Sequence, residues 1–143
     1  PEPLSKKPAP IELGRGEVLR QGAGAAVLAY GATVREALRA ADLLVEENGR
    51  SITVVNARFC KPLDGELIAR LLAEHDRVIT VEDHQLQNGF GTAVLEAANA
   101  AGADARKLVR LGIPDTYVEH GSRAWQLAHL GIDAAGILRA VRG

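Results

Sequence analysis

Two hydrophobic periods alternate along the chain. Apolar, β-branched runs at Ala25 to Tyr30, Ile52 to Val55, Val78 to Val81 and Lys107 to Leu111 are separated by stretches whose apolar residues recur every three or four positions. Runs of four to six such residues suit strands covered on both faces, and the spaced stretches suit helices that cover them. A shorter alternation at Glu17 to Arg20 predicts one further strand, and the link through Gly22 and Gly24 is too short for a helical crossover. The first two strands should therefore run antiparallel. Gly31-Ala32-Thr33 opens a helix to about Asn48, with Thr33 placed to cap it and Glu36 three residues on. Its inward stripe is Val34, Leu38, Ala41 and Val45, widened by Ala37 and Leu44, and Asn48-Gly49 stops it. Asp64 caps a helix to about His75 with Leu67, Ile68, Leu71 and Leu72 inward.

The longest coherent signal runs from Val78 to Ala98: a buried strand, a polar turn through Glu82-Asp83-His84, the Gly89-Phe90-Gly91 triplet, and a helix from Gly91 to Ala101. After the last strand, Gly112-Ile113-Pro114-Asp115 forms a turn. Ser122 caps a helical stretch holding Trp125, Leu127 and Leu130, and Asp133 caps Ala134 to Val141. The order β-β-α-β-α-β-α-β-α predicts a three-layer α/β/α fold around a mostly parallel sheet.

Composition narrows the classes. A chain of 143 residues, 47% hydrophobic, fills one domain with its own core. Seventeen basic and 18 acidic residues leave a formal charge of -1, which gives no footprint for nucleic acid or an acidic membrane surface. A single cysteine, Cys60, excludes an internal disulfide and a CxxC site; with no signal-like hydrophobic segment in the sequence, the expectation is a reducing cytoplasm. The chain begins at Pro1 and holds no Met, and Pro1, Pro3, Pro8 and Pro10 share its start with Lys6 and Lys7. That composition predicts an interdomain linker over residues 1–10 and a domain over 11–143.

Candidate chemistry is sought first at Glu82, Asp83, His84 and Gly89 to Gly91, where a strand's carboxyl end meets a helix. Val94 stands where a dinucleotide fingerprint needs its third glycine, the Gly14 and Gly16 pair fails alike, and no GxxxxGK[ST] occurs. Glu82-Asp83-His84, with His75 and His120 elsewhere, lacks the spacing of a metal site, so its carboxylates are expected to accept loop amides or face a neighbouring domain. Gly89 and Gly91 are expected to allow close helix-to-strand packing. Cys60 without a spaced partner packs, and Glu119-His120-Gly121-Ser122 is not the GxSxG of a hydrolase, so Ser122 caps.

The motifs Asn56-Ala57-Arg58-Phe59-Cys60-Lys61-Pro62-Leu63-Asp64, Val81-Glu82-Asp83-His84 with Gly89-Phe90-Gly91, Leu111-Gly112-Ile113-Pro114-Asp115 and Glu119-His120-Gly121-Ser122 resemble the carboxyl-terminal, transketolase C-terminal-like domain of the 1-deoxy-D-xylulose-5-phosphate synthase family. The resemblance covers Ile11 to Gly143. One departure is Asn88, where the family carries a glycine. The looser patterns are shared with transketolases and the beta subunits of 2-oxo acid dehydrogenases.

The resemblance implies a five-stranded mixed sheet with one antiparallel strand. It also implies a homodimeric enzyme, dependent on thiamine diphosphate and magnesium, that condenses pyruvate with glyceraldehyde 3-phosphate in isoprenoid, thiamine and pyridoxal precursor synthesis. Its cofactor and catalytic motifs belong to amino-terminal domains with no counterpart in this chain, so no catalytic, cofactor-binding or metal residue is carried over. A free-standing α/β binding module using the Glu82 to Gly91 crevice stands as the reading from a different class.

Overall fold

The computed structural model describes residues 10–143; the linker expected over residues 1–10 lies outside them except for Pro10. Among these residues five strands, β1 (Glu17–Arg20), β2 (Ala25–Tyr30), β3 (Thr53–Asn56), β4 (Arg77–Gln85) and β5 (Leu108–Ile113), form one sheet in the order β1-β3-β2-β4-β5. The β1–β3 pair is antiparallel and the other three pairs are parallel. The expected mixed sheet with one antiparallel strand is therefore what forms. The direction of β1 was legible, but its neighbour was not: the short turn after it sets its direction, while β3 takes the place beside β2. The crossover through a helix brings β3 back parallel beside β2.

Among the described residues, five helices connect and cover the sheet: α1 (Thr33–Asn48), α2 (Gly65–Glu74), α3 (Phe90–Ala100), α4 (Arg123–Leu130) and α5 (Ala134–Arg142). A short 3-10 turn, Ala105–Lys107, precedes β5. Strand residues alternate between faces. Val27, Ala29, Val54, Ile79 and Val81 pack with α1 and α5; Ala26, Leu28, Val55 and Val78 pack with α2 and α3.

Helix ends follow the capping chemistry in four places. Asp64, Asp104, Ser122 and Asp133 each accept a backbone N–H of the turn they open. Asp64 also accepts the Gly16 N–H at 3.1 Å, tying the lead into β1 to the start of α2. Gly49 closes α1 with φ of 71°.

Thr33 departs from expectation. It does not cap α1; its buried hydroxyl lies 2.9 Å from the carbonyl oxygens of Tyr30 and Val81, joining the helix start to β4. Glu36, expected as its capping partner, instead accepts the Ala134 N–H at the start of α5 at 3.0 Å. The buried stripe of α1 is Thr33, Ala37, Ala40, Ala41 and Leu44, with Val34 and Leu38 partly buried and Val45 43% exposed. Small alanines let α1 lie close on the sheet, which turns Val45 outward. The inward face of α2 is Leu67, Ile68, Leu71 and Leu72, as its spacing requires.

Candidate functional site

The long strand β4 carries the candidate residues to the carboxyl end of the sheet. The polar turn expected after Val81 is strand instead, since β4 continues through Glu82, Asp83 and His84 to Gln85, with an irregularity in its pairing to β5 after Val81. Pleating then decides where each side chain goes. Val78, Thr80 and Glu82 face α3, while Ile79, Val81 and Asp83 face the side of α1 and α4.

Glu82 is fully buried. One carboxylate oxygen accepts the Phe90 N–H at 2.6 Å and the other accepts the Gly91 N–H at 2.8 Å. The capping residue of α3, Gly89, has no side chain to offer, so the neighbouring strand supplies a carboxylate to the helix's free amides and positive end. Those amides are the groups that would hold a phosphate at this position, and Glu82 occupies them. A Cβ on Gly89 would collide with the Gln85 carbonyl and the Glu82 carboxylate, and one on Gly91 would come within 2.7 Å of Thr80 Oγ1 and 3.2 Å of Glu82 Oε1. Gly91 is therefore a contact glycine, as its place in the triplet suggested.

Asp83 pairs with Arg123, the first residue of α4, at 2.6 Å. His84 is exposed, its Nδ1 3.8 Å from Glu82 Oε2. Asn88, where a glycine was expected, has φ of 57°. Asparagine is among the few side chains that tolerate that left-handed backbone.

In an open α/β sheet the crevice for a ligand lies where successive connections depart in opposite directions. Here it falls between β2 and β4, and Tyr30 pairs in register with Glu82. The chain fills it itself. Tyr30 stacks on Phe90 with ring centroids 5.1 Å apart, and the Phe90 N–H is one of the two that Glu82 accepts. The other candidates are dispersed: Cys60 packs half-buried against the α2 and α3 side, His75 ends α2, His120 is exposed, and Ser122 caps α4. Among the described residues no group of three or more His, Cys, Asp or Glu side chains could hold a metal.

The diphosphate and divalent ion implied by the resemblance need free oxygen ligands and donors at one place. The residues here do not fit them, because both Glu82 oxygens serve α3 and Asp83 serves Arg123. Sequence reasoning found that a carboxylate would accept loop amides. It missed Arg123, whose link to Asp83 spans unrelated segments and leaves no local signal.

A doubly covered, mostly parallel sheet with one antiparallel edge, and with Tyr30 stacked on Phe90 at its switch point, defines a three-layer α/β domain. Residues 14–137 match the family described as transketolase, C-terminal domain, and the chain belongs to that family. It is 49% identical over 133 residues to the 1-deoxy-D-xylulose-5-phosphate synthase of Synechococcus sp. (strain JA-2-3B'a(2-13)), covering 93% of this chain and 20% of that protein. Over 132 residues it is 48% identical to synthase 1 of Geobacter metallireducens, covering 92% of this chain and 21% of that protein. The chain thus spans about a fifth of the length of these relatives. Among solved structures, the chain of "Split gene transketolase, inactive beta4 tetramer" superposes with a TM-score of 0.81 at 30% identity, covering 92% of this chain and 42% of that one. A transketolase from Campylobacter jejuni shares the fold, with a TM-score of 0.58 at 19% identity. Among the described residues no helix is long and apolar enough to cross a membrane.

Proposed function

We propose that this chain is the carboxyl-terminal domain of a 1-deoxy-D-xylulose-5-phosphate synthase and serves that enzyme by assembly. The whole enzyme condenses pyruvate with glyceraldehyde 3-phosphate, with loss of CO2, using thiamine diphosphate and Mg2+ held by its amino-terminal domains. The observation that carries this reading is 49% identity to a synthase along 93% of the chain. The engagement of Glu82 and Asp83 in structural contacts supports a domain that contributes no catalytic, cofactor-binding or metal residue.

A transketolase-type subunit is the second reading, supported by the fit to the split-gene chain. The lower identity, 30% against 49%, places it behind the first. Association with the preceding domains, and dimerisation, uses the carboxyl-terminal segment in this proposal. There α4 has no buried residue, Trp125 is 43% exposed and Tyr117 93% exposed.

The test is kinetic and calorimetric. The full-length protein should form 1-deoxy-D-xylulose 5-phosphate from the two substrates, and His84→Ala within it should keep turnover within about tenfold, or roughly 1.4 kcal/mol of barrier. Residues 1–143 alone should show no saturable heat with thiamine diphosphate and Mg2+. Cofactor binding by the fragment, or a several-hundredfold loss in a folded His84 variant, would put the active site in this domain.

A further inference from the structure

His75 ends α2 in the interior, buried together with Thr53 of β3. Its Nδ1 lies 3.1 Å from the Leu71 carbonyl oxygen and its Nε2 lies 2.9 Å from Thr53 Oγ1. The same hydroxyl oxygen accepts the Gly22 N–H at 3.1 Å and lies 3.0 Å from the Gly22 carbonyl oxygen. Gly22 belongs to the turn between β1 and β2 and packs backbone to backbone, since a Cβ there would collide with Ser51 and Ile52. One threonine oxygen thus joins the end of α2, the strand β3 and the turn of the edge strand.

Hydrogen counting separates two states. A carbonyl only accepts, so Nδ1 carries a hydrogen whatever the charge of the ring. A threonine hydroxyl has one hydrogen to give and two lone pairs to accept with. Beside a neutral ring, Nε2 is bare and draws the hydroxyl hydrogen, which leaves the Gly22 carbonyl facing Oγ1 with nothing between them. Beside an imidazolium, Nε2–H donates to Oγ1, the hydroxyl turns to the Gly22 carbonyl, and every group in the chain of contacts is paired. The charged state holds one more hydrogen bond, and it falls on the turn that fixes β1.

We propose that His75, Thr53 and Gly22 form a proton-operated latch on the edge strand: proton uptake from solvent turns the Thr53 hydroxyl from imidazole to the Gly22 carbonyl and tightens β1, and proton loss releases it. Solvent approaches through a cleft of about 370 Å3 lined by Val18, Gln21, Arg70 and Glu74 as well as by the three latch residues. The charged groups that line this cleft with the ring are Arg70 and Glu74 from α2, and the Lys107 ammonium donates to the Leu72 and His75 backbone carbonyls at 2.9 and 3.1 Å. Gln21 from the turn and Thr53 from β3 line the cleft uncharged.

Nitrogen NMR of the His75 ring in the 143-residue chain across a window of about pH 5 to 8 tests the latch alongside the Gly22 carbonyl carbon shift and amide exchange of Glu17 to Arg20. The neutral ring should be the Nδ1–H tautomer, the Gly22 shift should follow the ring's titration, and β1 amides should exchange severalfold more slowly as the ring is protonated. Thr53→Val should abolish both couplings, and Thr53→Ser should keep them. A ring of fixed charge across the window, an Nε2–H tautomer when neutral, or a Gly22 shift indifferent to the titration in the parent chain would overturn the proposal, whatever the variants do.

Discussion

At the scale of residues, the region around β4 and α3 depends on one carboxylate and two glycines. Glu82 is buried with both oxygens committed to backbone amides, so its replacement by glutamine keeps the shape and changes the hydrogen count. The amide oxygen still accepts from one N–H, but its NH2 group then meets the other donor to donor. Leaving one buried amide unpaired costs about 1–3 kcal/mol, and Glu82→Gln should lower stability by that much in urea unfolding of the isolated chain. An unchanged midpoint would show that the amides find water. Gly91→Ala should cost a similar ~1–3 kcal/mol through overpacking, because the added carbon meets Thr80 Oγ1 at 2.7 Å. The two sites touch, so the double variant should depart from the sum of the singles; strict additivity would mean that Gly91 does not act through Glu82. The glycine's role was legible, since a tight triplet at a strand-to-helix junction points to close approach. The hydroxyl of Thr33 was not, because one of its two acceptors, Val81, lies 48 residues away and no local pattern announces it.

At the scale of elements, boundaries set by side-chain caps were readable and boundaries set by pairing were not. Asp64, Ser122 and Asp133 open their helices as expected because the cap is a local hydrogen bond. The end of β4 was placed four residues early, because Glu82 to Gln85 are polar and only their ladder partners make them strand. The turn before β5 gives an element with a pH signature. Hydrogen bonds from the Arg106 guanidinium, and then from the Arg106 N–H, hold the Asp104 carboxyl down at about 2, from an ordinary 3.8. A depressed carboxylate stabilises at every pH above its ordinary value, and that contribution is lost as pH falls from about 3.8 towards about 2. Carbon NMR of the Asp104 carboxyl should show the low midpoint, and Arg106→Ala should return it towards 3.8. A midpoint unmoved by that change would separate the carboxyl from its arginine. Because the pair is exposed, added salt should weaken its electrostatic part.

At the scale of the whole molecule, the layered fold followed from alternating periods, since a strand apolar on both faces requires helices on both. Which surface remains open followed less directly. Helices α1, α2, α3 and α5 bury residues against the sheet, whereas α4 contributes no buried residue and carries Trp125, 43% exposed and stacked on His129, with Leu127 and Leu130 half-covered by the α1 and α5 side. Tyr117 stands 93% exposed in the segment leading to it. An eight-residue helix has little stability of its own in water, and Arg123 to Asp83 is an ion pair with both side chains partly solvated. Aromatic side chains held out from such an element are the composition of an interface core rather than of a free surface. The 143-residue chain should therefore self-associate, or bind a dye for apolar surface, and Tyr117→Ser with Trp125→Ser should suppress both while leaving the urea midpoint of the remaining core within about 0.5 kcal/mol. Sedimentation velocity across a hundredfold range of concentration, run with dye titration on both proteins, separates the outcomes. A concentration-independent monomer that binds no dye would mean that α4 needs no partner. Association undiminished in the double variant would move the interface elsewhere, to the open edges of β1 or β5.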